Sequence, residues 1–180
     1  MNRHAISAAL AATAASAALV AAAPVHAAPA PPSVPGDIAV DAGHKLFLVG
    51  HAEGVQIYRC DGGAWGLVAP RATLYGDNGK VVATHYGGPT WEARDGSRVI
   101  GRRVAGVTVD PTAIPWLKLE AASTAAGDDG DKLAGVTFVQ RYNTTGGVAP
   151  AAGTCGAANA GAMQEIPYTA DYAFWRKSGA

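Results

Sequence analysis

From residue 37 onward, apolar and polar positions alternate in short runs. In WLKLEA (116–121), Trp116, Lys118 and Glu120 alternate with Leu117, Leu119 and Ala121, the period-two pattern of a strand with one buried face. Comparable runs lie at 46–50, 55–60, 72–75, 80–86, 90–93, 98–104, 136–142 and 172–175. Turn-forming residues separate them. His51-Ala52-Glu53-Gly54 predicts a hairpin between the first two runs. Gly76-Asp77-Asn78-Gly79 carries Asn-Gly, a strong hairpin signal, and Arg94-Asp95-Gly96-Ser97 predicts a third turn. Residues 146–161, rich in Ala and Gly, have no period and read as a long loop. No helical period is sustained after residue 28. Repeated short strands with glycine-bearing turns predict an all-β domain, an antiparallel β-sandwich of jelly-roll-like form, with a closed β-barrel as the alternative.

The beginning of the chain follows a different pattern. A single arginine, Arg3, precedes a nearly unbroken apolar run over 5–25 that closes on Val25-His26-Ala27. A basic start, an apolar middle and small residues at the end describe a secretory signal peptide covering 1–27. The run approaches the roughly 20 residues of a membrane span, but its alanine content and cleavage-like end favour removal. Residues 28–36, with four prolines, read as an extended tether, and 37–180 as a single β domain. The expected location is therefore periplasmic or extracellular, without stable membrane insertion once the leader is removed.

Charge and cysteine content narrow the partners. The formal charge is zero, with 14 basic and 14 acidic residues. No basic field is available to attract nucleic acid. Cys60 and Cys155 form an even set in an exported chain and read as a disulfide, the alternative being two free thiols.

Candidate chemistry concentrates in THYGGPTWEARDGS (84–97). His85 ends a run whose face it shares with Val81 and Ala83, and Gly87-Gly88-Pro89 then breaks the strand, which would leave the imidazole at a pocket rim. Trp91 and Glu92 are expected on opposite faces. Arg141, on the face of Val139, would need a carboxylate partner if buried, with Glu92 or Asp171 as candidates. His44, His51 and His85 match no compact metal motif. Asp128-Asp129-Gly130-Asp131 lacks the spaced ligands of a calcium loop and reads as a solvated tip. Ser33, Ser97, Ser123 and Ser178 sit in no G-x-S-x-G motif, and neither a dinucleotide fingerprint nor a P-loop occurs. No metal or cofactor is called for. Aromatic residues spread over the strands offer a stacking surface for a flat ligand.

VPGDIAV, GVQIYRC, the 84–97 run, AIPWLKLEA, VTFVQRYNTTGGVAPAAGTC and IPYTADYAFW occur in that order. Together they resemble a secreted bacterial and fungal domain family, mostly catalogued as proteins of unknown function, some fungal members of which carry a malate dehydrogenase label. The resemblance implies one exported domain, with Cys60 and Cys155 as the family's pair, and brings no catalytic residues. The dehydrogenase label finds no support in a chain without the dinucleotide fingerprint. The expected function is binding of a small molecule, a glycan or an envelope component around His85, Trp91, Glu92 and Arg141. The alternatives are a hydrolase using His85 with Glu92 or Asp95, and a structural or interaction protein of the envelope. The oligomeric state is left open.

Overall fold

Period-two strands joined by short turns favour a meander, in which each strand pairs with the next. The computed structural model describes residues 29–179, so the leader read at 1–27 lies outside the described residues. Those residues form strands β1 (His44–Asp61), β2 (Ala64–Tyr75), β3 (Val81–Tyr86), β4 (Thr90–Ala93), β5 (Arg98–Val107), β6 (Trp116–Ala125), β7 (Phe138–Gly146) and β8 (Met163–Lys177). All the pairings are antiparallel, and β8 returns to pair with β1, closing the sheet. The all-β, antiparallel expectation holds. Of the two arrangements it allowed, the pairing is that of the closed barrel. A jelly roll joins strands distant in sequence, and only the β8–β1 closure does so here.

The turns at 76–79 and 94–97 lie where the sequence places them, with Gly79 and Gly96 at φ 71° and 77°. Asn78 does not adopt the left-handed conformation that Asn-Gly hairpin turns ordinarily use; its side-chain oxygen instead accepts the Lys80 N–H at 3.0 Å. The hairpin expected at 51–54 is absent. β1 runs unbroken through these residues, with Ala52 buried and Glu53 exposed. Gly54 serves close approach rather than a turn: a Cβ there would lie 2.2 Å from the Arg71 carbonyl oxygen and 2.5 Å from the Ala72 Cβ. The β1–β2 turn falls instead at Gly62-Gly63, so β2 begins eight residues before the run that signals it.

Alternation then sorts the side chains. Ala52, Leu74, Ala83, Trp91, Leu119 and Phe174 belong to one buried cluster inside the barrel, with Leu117 and Ala121 packed against it as the WLKLEA pattern predicts. The outer face of β6 to β8 is also covered. Val34 and Val40 pack on Tyr142, Ala173 and Trp175, and Ile38 is fully buried. Gln140 fastens this strap: its Nε2 donates to the Ile38 carbonyl at 2.6 Å, and its Oε1 accepts Trp175 Nε1–H at 2.7 Å. Packing thus begins at Val34, inside the stretch read as tether.

The two ends of the barrel differ. At one end the β6–β7 connection inserts Leu133 and Val136 into the core cluster. At the other lie the 87–89 turn, the 108–115 connection and the long 147–162 loop, with Cys60 and Cys155 joined in a disulfide of Cα–Cα separation 5.4 Å. No helix among the described residues is long and apolar enough to cross a membrane.

Candidate ligand-binding site

His85 and Trp91 are direct cross-strand partners in the β3–β4 hairpin, so alternation sends both rings to the same, inner face. Their rings stack at 4.3 Å and 4°. Gly88, at φ 106°, shapes the turn between them, and Thr90 Oγ1 donates to the Gly87 carbonyl at 3.1 Å. The ring of Tyr172, from β8, meets His85 at 5.2 Å and Trp91 at 5.4 Å with its plane inclined to both.

The protonation of His85 follows from its contacts. Nδ1 lies 2.8 Å from the Thr90 carbonyl oxygen, and because a carbonyl only accepts, Nδ1 carries the hydrogen and Nε2 keeps its lone pair. Burial lowers the imidazole to about 3, and Arg141 pushes in the same direction against the Thr90 hydrogen bond. The ring is neutral at physiological pH and too weak a base for general-base work there.

These residues line a cavity of about 400 Å³, within the range of small-molecule sites. Leu67 and Val68 of β2 and Arg103 of β5 line it while exposed, so it communicates with solvent at the disulfide end. Its walls are carbon-rich, from Pro70, Ile114, Leu117 and Leu119 among others, and no aspartate or glutamate lines it.

Arg141 enters from β7 on the face of Val139. Its Nε and Nη2 donate to the Pro115 carbonyl at 3.0 and 2.8 Å. The carboxylate partner expected for it is not there. Glu92 is on the outer face, where it accepts the Tyr86 hydroxyl at 2.6 Å. Asp171 also faces outward, accepting His51 Nδ1–H at 2.7 Å and Asn143 Nδ2–H at 2.8 Å. Among the described residues Arg141 makes no ion pair.

Of the four candidates, His85, Trp91 and Arg141 therefore share the cavity and Glu92 does not, because strand alternation opposes it to Trp91. Asp95 is not brought to His85 either. It lies in the β4–β5 turn, four residues beyond Trp91 and roughly 13 Å along the strand direction, where it binds Ser97 and the Lys132 N–H. The three histidines stand apart, His44 against the Asp41 carbonyl and Phe138, His51 between Asp77 and Asp171. Gln56, Tyr58, Arg103 and Tyr172 line the cavity without having been singled out as site residues. The alternation in VQIYRC puts Gln56 and Tyr58 on one face, but not which face is enclosed.

Residues 41–176 match the model of a family of proteins of unknown function (DUF3455). The chain belongs to this family. Comparison with curated proteins and with solved structures returns no match. In DUF3455 terms, the matched span runs from just before β1 to the penultimate residue of β8 and so includes every strand that lines the cavity.

Proposed function

We propose that this protein is an exported binding protein that takes a small molecule inside its barrel, against His85, Trp91, Arg141 and Tyr172. The observation that carries the reading is the solvent-connected cavity of about 400 Å³ at the disulfide end, walled by apolar side chains around these few polar ones. Eight-stranded barrels are wide enough to hold one such ligand. A volume of this size suits a metabolite-sized molecule rather than an enclosed polymer segment, and walls so poor in amide and carboxylate groups suit an apolar compound better than a glycan. Export is supported by the leader pattern over 1–27 and by the Cys60–Cys155 bond, which suits an oxidising compartment.

Trp91 makes the reading testable by fluorescence, since its ring borders the cavity while Trp65, Trp116 and Trp175 lie elsewhere. Titration with metabolite and glycan panels is expected to change tryptophan emission for at least one compound. The response should vanish in Trp91→Phe while calorimetry still detects binding. No response across the panels, with no calorimetric heat, overturns the proposal.

A further inference from the structure

The guanidinium of Arg141 is the unusual element of this cavity. It is partly buried among apolar walls, and its hydrogen-bond partners are neutral, the Pro115 carbonyl and the Tyr172 side chain. Two of its five N–H groups go to Pro115, which leaves three to be shared between Tyr172 and an occupant of the cavity. A charge withdrawn from water without an opposite charge is costly, and proteins ordinarily pair it. Here the groups that could do so point elsewhere: Glu92 and Asp171 are on the outer face, and no carboxylate lines the cavity. Tyr58, His85, Tyr168 and Tyr172 all feel the positive charge of Arg141. A second cation, Arg103, lines the same space and makes no ion pair among the described residues.

A second observation points the same way. Gln56 lines the cavity with only 2% of its surface exposed, and its Nε2 has no hydrogen-bond partner. Buried donors without acceptors are rare in finished structures. An arginine with spare donors and an unpartnered amide together ask for an acceptor-rich, negatively charged group. The rest of the wall, Leu67, Val68, Leu117 and the Trp91 ring among it, asks for an apolar body.

We infer that the ligand is an apolar monocarboxylate, its carboxylate on Arg141 and its hydrocarbon body along the Leu67, Val68 and Leu117 wall. This rests on the cavity being a binding site. The planar guanidinium matches a carboxylate through two parallel hydrogen bonds. His85 does not hold the charge, because its neutral ring offers Nε2 as an acceptor. It takes a hydroxyl or N–H of the ligand, or a water.

Isothermal titration of the purified protein with octanoate and 2-naphthoate, each against its primary amide, tests this, because acid and amide share one body and differ in charge. At least one acid is expected to bind ten-fold or more tightly than its amide. Arg141→Gln is expected to bring that acid to the affinity of the amide while leaving the amide unchanged. His85→Gln should keep the preference for the acid. Should Arg141→Gln fail to fold by circular dichroism, Arg141→Lys, which keeps the charge and loses the fork, is expected to weaken acid binding several-fold and leave the amide alone. Equal binding of acids and amides to the wild-type protein overturns the carboxylate assignment and leaves the cavity a binding site. Binding of none of the four also overturns it, and the fluorescence panels then decide separately whether the barrel binds anything.

Discussion

His85 and His51 are shifted in opposite directions from the ordinary imidazole value, and each shift reports on its surroundings. An unfolded imidazole has a pKa of about 6.5, whereas burial inside the barrel holds His85 at about 3. Between those values the unfolded chain carries a proton that the folded one lacks, so stability falls as pH drops from about 6.5 toward 3. At pH 4 the loss is on the order of 3 kcal/mol. His51 is raised by its hydrogen bonds to Asp77 and Asp171; its contribution is complete below 6.5 and fades as pH rises through the elevated value. Half exposed, it is screened and weighs less. Urea midpoints measured across pH are expected to show a flatter acid limb in His85→Gln than in the wild type. His51→Asn should keep the acid limb and lose only part of the decline above 6.5. That His85 shares a face with Ala83 was legible in the sequence; that this face is the enclosed one, with the imidazole buried rather than at a pocket rim, was not. Nor was the stacking of His85 on Trp91, since that depends on the register in which the two strands meet.

At the scale of the element, the β4–β5 turn and the β6–β7 connection act as one unit that closes the far end. Ser97 is fully buried; its hydroxyl donates to Asp95 Oδ1 at 2.5 Å and accepts the Leu133 N–H at 2.9 Å. Asp95 also accepts the Lys132 N–H at 2.9 Å, and these hydrogen bonds hold its carboxyl below the usual carboxylate range. Ser97→Ala leaves the buried Leu133 N–H without its acceptor and is expected to destabilise the fold by about 1–3 kcal/mol in denaturant melts. Ligand affinity at the opposite end should not change, which separates this structural role from a part in the binding site. The turn itself was readable from Asp-Gly. Its dependence on Leu133, 36 residues away, was not, and neither was the role of Gly54, whose turn-like appearance conceals a close contact between β1 and β2.

For the whole molecule, the disulfide secures the end at which the cavity opens. It joins residues 95 apart, and the chain-entropy model puts the ceiling for such a loop at about 4–5 kcal/mol. Tyr58 and Trp65 tie the same loop, the one through the Gly147 carbonyl at 2.7 Å and the other through Thr154 Oγ1 at 2.9 Å. The double variant Cys60→Ala, Cys155→Ala is expected to lose about 2–5 kcal/mol in denaturant melts. It should also weaken ligand binding, because Tyr58 of the cavity is anchored to that loop; unchanged affinity would show that the loop takes no part in the site. The sequence alone determined the all-β class, the turns at 76–79 and 94–97, the face of WLKLEA that is buried, and the presence of two cysteines able to pair. These are local properties, set by alternation and by glycine's access to positive φ. The closure of β8 on β1, the meeting of Tyr172 with His85, and the arginine left without a carboxylate were decided by the tertiary structure. Each depends on residues brought together from distant parts of the chain, and alternation identifies the two faces of a strand without saying which one the barrel will enclose.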